Sequence, residues 1–209
     1  SGVLAPGASV SSALGFNGMA DEVGLRSGTL SIGMVSVGQQ GTGLQDFTLP
    51  SKVLTVSATV YRPAAGALVS GGSAVLEGQT FNLGRIREGG VFAPVSLGVR
   101  NTAVADAFSE KLDATVLASG GSVLANGLVT GLFAGGTVFN AFELSLGKDP
   151  SMQTGAGVKA SSVQVALVSN GSGSSGLGTL SVGTQTVNLT GTVYRPVSYT
   201  HLRAHETRE

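Results

Sequence analysis

Thr59-Val60-Tyr61-Arg62-Pro63 and Thr192-Val193-Tyr194-Arg195-Pro196 are the same five residues, set 133 positions apart. Without a gap, the same shift pairs Val35-Ser36 with Val168-Ser169, Gly38 with Gly171, and Gly43-Leu44 with Gly176-Leu177. It also lays apolar on apolar at alternate positions. Leu30, Ile32 and Met34 fall on Val163, Val165 and Leu167; Leu54, Val56, Ala58 and Val60 fall on Val187, Leu189, Gly191 and Val193. Successive side chains of a strand point to opposite faces of a sheet, so a shared period of two predicts shared inward faces. The chain is therefore expected to hold two copies of one all-β unit, the first lacking its opening strands. Ser1 is not a start residue, and a fragment of a longer protein is expected.

Outward from the pentapeptides, Gly28 to Val37 and Lys52 to Arg62 alternate as the last strands of the first copy. Ala64 to Gly78 is small, Gly-rich and aperiodic, and reads as a linker. A complete unit follows. Its expected strands are Phe81 to Arg87, Pro94 to Asn101 (Val95, Leu97 and Val99 inward), Ser122 to Leu132, Val138 to Leu146 (Phe142, Leu144 and Leu146 inward), Ser161 to Asn170 and Thr179 to Tyr194. Asn101 to Leu112 has a mildly helical flavour. Short alternating strands bounded by Gly and Ser predict an immunoglobulin-like β-sandwich with Greek-key connections. The expected division is residues 1–66 as the C-terminal strands of a truncated unit, 67–77 as a linker, and 78–196 as a complete unit. The truncated unit is expected to leave an open sheet edge.

Residues 197–209 are of a different kind. Val197 to Thr207 resembles one reading frame of a transposase-type sequencing adapter, and is expected to be read-through rather than native sequence. It holds both histidines, His201 and His205, whose spacing would otherwise suit two imidazoles on one helical face. Without it the chain has no histidine, no cysteine and no tryptophan. The commonest general base and metal ligand is then absent, and so are thiol catalysis and disulfide staples.

Residues 1–196 carry ten basic and ten acidic side chains, with no basic stripe to attract phosphate backbones, so nucleic acid is not an expected partner. Charged residues make up 11% of the chain, against about 25% in ordinary soluble domains. Outward strand positions fall instead to residues such as Thr55, Ser57 and Thr59 in one copy and Asn188, Thr190 and Thr192 in the other. No apolar run reaches the ~20 residues of a membrane span.

Few motifs suggest chemistry. Gly171-Ser172-Gly173-Ser174-Ser175-Gly176 fits G-x-G-x-x-G after a strand, but no helix and no acidic residue follow, so a hairpin loop is expected. Asp106, Glu110 and Asp113 have a spacing that could share a calcium ion or make an acid–base pair, against the reading of a solvated turn. Tyr61 and Tyr194 lie beyond the inward valines, where they would cover the sandwich end or offer a carbohydrate-stacking face. Asn170-Gly171-Ser172 and Asn188-Leu189-Thr190 match the N-x-[ST] pattern, which is cheap in so Ser/Thr-rich a chain. No catalytic, cofactor or metal residue is assigned, and no cofactor is expected.

Asn101-Thr102-Ala103, Asp106, Phe108-Ser109-Glu110, Leu112 and Ala114 together resemble the N-T-A-x-x-D-G-F-S-E-x-L-x-A segment of bacterial choice-of-anchor D domain proteins. Gly171 to Tyr194 is similar to the loop and last strand of that group, and Phe81-Asn82-Leu83-Gly84 to its opening strand. Ala107 departs from the pattern, which has Gly there. The resemblance implies a Hydin-like, immunoglobulin-like module repeated in large exported proteins, held at the cell surface by varied anchors that include PEP-CTERM-type tails. The expectation is a non-enzymatic structural or adhesive spacer at the bacterial surface, partnered by neighbouring repeats and a surface or matrix component of unknown identity. The alternatives are a β-helical adhesin passenger, whose coils would repeat about every 20–30 residues, and a carbohydrate-binding accessory domain of a secreted hydrolase.

Overall fold

The computed structural model describes residues 4–11, 22–38, 43–117, 123–147 and 150–196; the tail with His201 and His205 lies outside them. The chain divides after Val60. Up to that residue the regular structure among the described residues is one antiparallel hairpin, β1 (Gly24–Ser36) with β2 (Phe47–Val60).

From Tyr61 onward the chain is a sandwich of two five-stranded sheets. One sheet runs β4 (Ser73–Ala74), β3 (Gly66–Ser70), β6 (Val95–Asn101), β10 (Thr137–Leu146), β8 (Val123–Asn126). The other runs β5 (Gln79–Arg87), β12 (Thr179–Tyr194), β11 (Gly157–Asn170), β7 (Lys111–Leu117), β9 (Leu128–Leu132). Described neighbours are antiparallel except β5, which runs parallel to β12. This is the expected all-β, immunoglobulin-like sandwich. A β-helix would stack parallel coils, so the antiparallel ladders exclude that alternative.

The alternating residues meet between the sheets. Leu97, Val99, Phe142, Leu144 and Leu146 face Leu112, Val163, Val165, Val187 and Leu189, and all ten are fully buried. Burying one such side chain stabilises by about 1.5–3 kcal/mol, whereas an exposed ion pair gives about 0–1 kcal/mol. The three ion pairs among the described residues all involve partly exposed side chains. Aliphatic burial therefore holds this fold together, as its low charge content demands.

Three expectations need correction. Residues 67–77 are not a linker: β3 pairs with β6, and Leu68, Val69 and Val75 are buried. Gln185 on β12 fixes this segment, accepting from the Leu68 amide at 3.0 Å and donating to the Val75 carbonyl. The run Ser122 to Leu132 is two strands in different sheets, β8 beside β10 and β9 beside β7. The break is Gly127, at φ 126°, where a Cβ would strike the Ala141 carbonyl oxygen; only glycine serves at this corner. Within Asn101 to Leu112 the ends belong to β6 and β7, and residues 102–110 between them are bends and turns, with no helix.

The two hairpins can be compared position by position. Gly24 faces Val60 as Gly157 faces Val193, and Leu30 faces Leu54 as Val163 faces Val187. Each ladder then slips by one residue, past Ile32 in the first and past Leu167 in the second. Beyond the slip Ser36 faces Phe47 and Ser169 faces Leu180, again equivalent. The loops agree too: a Cβ on Gly38 would collide with the Leu44 carbonyl, and one on Gly171 would crowd that of Leu177. Burial does not agree. Leu30, Ile32 and Leu54 are 38%, 43% and 48% exposed, whereas Val163, Val165 and Val187 are at 0%. Among the described residues of its own unit, the first hairpin has no second sheet to cover its expected inward face. A pairing pattern is local to a hairpin; burial needs the other layer.

Candidate functional site

The segment resembling the choice-of-anchor D pattern lies at the entrance of the sandwich, where it grips the first pentapeptide. The Arg62 amide donates to the Phe108 carbonyl at 2.7 Å, and the Glu110 amide donates to the Arg62 carbonyl at 3.0 Å. Arg62 Nη1 donates to Asp106 Oδ2 at 3.0 Å and to Ser109 Oγ at 2.9 Å. The Tyr61 ring lies against Phe108, centroids 6.1 Å apart and tilted by 58°. The Asp106 carboxylate closes its own turn, accepting from the Phe108 amide and the Ser109 hydroxyl, each at 3.0 Å. The Arg62 guanidinium holds the Asp106 carboxyl below the ordinary aspartate range, against the opposing effect of desolvation.

Two buried polar side chains lie beneath this grip. Asn101 is fully buried and uses its whole amide. Its Nδ2 donates to the carbonyls of Glu110 at 3.2 Å and Leu132 at 3.1 Å, and its Oδ1 accepts from the amides of Ala65 and Ala103, both at 3.2 Å. Glu110 is buried and accepts from the hydroxyls of Ser169, at 2.6 Å, and Ser175. Ser169 Oγ in turn accepts from the Ala64 amide at 2.7 Å. A relay thus runs from the incoming backbone through a hydroxyl to a carboxylate.

The acidic trio is not gathered. Asp106 faces Arg62, Glu110 points into the sandwich, and Asp113 accepts from the Gly131 amide at 2.6 Å and Asn170 Nδ2 at 2.7 Å. No group of three metal-ligating side chains occurs among the described residues. The G-x-G-x-x-G run is the turn of the β11–β12 hairpin, closed by the Ser174 and Gly176 amides donating to the Gly171 carbonyl at 3.0 and 2.9 Å. Strand β12 follows it, with no helix. Tyr61 is engaged by Phe108, while Tyr194 is exposed. A cleft of about 330 Å³ beside Val91, Phe92, Pro94 and Ala125 is mostly apolar, with Glu143 as the single carboxylate in its lining.

Sequence reasoning missed Asn101, Ser169 and Gln185 as structural hubs. One signal was available: each is a polar residue at a position whose same-face neighbours, two residues away on either side, are apolar or small.

No protein-family model and no curated protein matches the chain. Solved structures do. The N-terminal domain of PorA aligns at 10% identity with a TM-score of 0.37, over 62% of this chain and 97% of that one. The CooA pilin subunit from enterotoxigenic Escherichia coli aligns at 13% identity with a TM-score of 0.32, over 62% and 98%. Among the described residues no helix is long and apolar enough to cross a membrane.

Proposed function

We propose that the chain is a segment of a large exported bacterial surface protein whose sandwich units serve as non-enzymatic structural or adhesive spacers. The carrying observation is the pair of hairpins, 133 residues apart, which share sequence, register and a one-residue slip. A protein that repeats a unit this faithfully is built for length, each unit contacting chiefly its neighbours. The resemblance to choice-of-anchor D proteins supplies the exported setting and the prospect of a PEP-CTERM-type or other anchor. The clasp of Arg62 by the Asn101–Glu110 segment gives that pattern a structural purpose, the seating of an incoming strand end. The partners of such a segment are neighbouring repeats and a surface or matrix component.

Two measurements test this. Antibody raised against residues 61–196 is expected to label intact cells carrying the native gene; label seen only after permeabilisation overturns export. Pulled from its ends, the full chain is expected to show one abrupt step for the sandwich, releasing about 45–49 nm of chain. Smooth extension without a step overturns the spacer role.

A further inference from the structure

We infer that Tyr194-Arg195-Pro196 is a docking end, whose partner is an Asp-x-Phe-Ser-Glu turn of a further unit of this kind. The inference rests on the repeat reading above and names the residues that join one unit to the next.

The argument starts from the first pentapeptide. Tyr61 and Arg62 belong to the sandwich that follows them, not to the hairpin that precedes them. Their binding set comprises two backbone hydrogen bonds that bracket Arg62, a guanidinium on Asp106 and Ser109, and a ring on Phe108. Tyr194-Arg195-Pro196 is the same tripeptide at the same distance beyond an equivalent hairpin. Yet it has no such turn to meet, because Asp106, Phe108 and Ser109 are taken by Arg62 and Tyr61. Tyr194 is half exposed. The Arg195 side chain is 66% exposed and donates its Nε to Glu88 at 3.1 Å. In Arg62 it is a terminal nitrogen, Nη1, that reaches the acidic turn. The Glu88 contact and the proposed contact therefore use different nitrogens of one guanidinium fork.

The partner's chemistry follows from the occupied socket. It must offer a carboxylate for the guanidinium, an aromatic ring for Tyr194, and an amide–carbonyl pair for the Arg195 backbone. The Asp106–Glu110 turn offers all three, and offers them next to the buried Glu110–Ser169 relay that receives the following residues.

The test is a chain in which residues 64–196 are joined a second time directly after Pro196, replacing residues 197–209. In that chain Arg195→Ala is expected to lower the melting temperature of the appended sandwich as much as Arg62→Ala lowers that of the first. The loss is expected to shrink when the appended copy also carries Asp106→Ala, because the two groups share an interaction, with Ser109 Oγ retaining the remainder. Additive losses overturn the inference. Hydrogen exchange reads the same joint with no substitution. The Glu110 amide of the appended copy is expected to exchange as slowly as that of the first, by donating to the Arg195 carbonyl. Fast exchange in the appended copy beside slow exchange in the first overturns the inference. Failure here leaves units that swing freely but still act as spacers, whereas failure of surface labelling leaves this joint measurable in solution.

Discussion

Ser169 shows how much one hydroxyl can carry. It accepts from the Ala64 amide and donates to Glu110 Oε2, so Ser169→Ala leaves that amide and that oxygen without these partners, while Ser175 keeps its bond to Oε1. Such orphaned groups cost about 1–3 kcal/mol, and the urea midpoint is expected to fall accordingly with the slope unchanged. Gly191 is the converse case, a place where an atom must be missing. A Cβ there would press into the Phe92 ring, which is almost wholly buried. Gly191→Ala is expected to destabilise by about 1–3 kcal/mol through overpacking, and Phe92→Leu in the same chain to recover part of the loss. Ala58 occupies the equivalent position in the first hairpin. The strand itself therefore tolerates a methyl, and Phe92 is what forbids it. Asp106 adds a dependence on acid. Its carboxyl ionises below the ordinary range in the folded chain, so its contribution is complete above that range and drains away as pH falls through the folded value. Between pH 6 and 3 the parent chain is expected to lose more stability than Asp106→Asn, as read by urea midpoints. At this scale the sequence was least legible. Period two identified the buried aliphatics, but a hydrogen-bond partner over a hundred residues away leaves no local mark.

Strands show where local pattern succeeds and where it stops. Long alternating runs such as β11 and β12 were legible because a period of two over more than ten residues has few other readings. The β3–β4 segment was not. Ala64 to Gly78 is short and Gly-rich, and only its pairing with β6 and the Gln185 bonds make it part of a sheet. Gly127 was hidden for a related reason. The two halves of Ser122 to Leu132 are each strand-like, and nothing in their composition says that they serve different sheets. The β1–β2 hairpin presents the opposite situation, with legible strands and uncovered side chains. Exposed aliphatics on a hairpin with no further strand beside it among the described residues favour pairing between molecules. Ile32→Ser with Leu54→Ser is expected to reduce self-association in sedimentation, while the melting of the sandwich stays within about 0.5 kcal/mol of the parent.

For the molecule as a whole, the boundary after Val60 has a practical meaning. A fragment of residues 61–196 retains the Arg62 clasp, β3 and the buried Leu68, Val69 and Val75. One beginning at residue 78 loses all of them and opens an edge on β6. The longer fragment is expected to unfold cooperatively in urea. The shorter is expected to be unfolded or aggregated, and a cooperative transition at equal midpoint would count against the boundary. The repeat announced the class of fold from sequence, because two copies with the same alternation constrain each other. The unit's first residue was not announced, because the motif that ends one hairpin also begins the next sandwich.

Strand β5 lies parallel beside β12, joining Gln79 to Val187 and Arg87 to Tyr194 across more than a hundred intervening residues. Contacts that distant close late, because a long loop must lose its freedom before they can form. A ribosome or channel that delivers this chain from its N-terminus would release nearly the entire unit before an interior strand of one layer arrives. Until then no finished sandwich exists, and the order in which residues emerge doubles as a timer that postpones folding until the last strand is out.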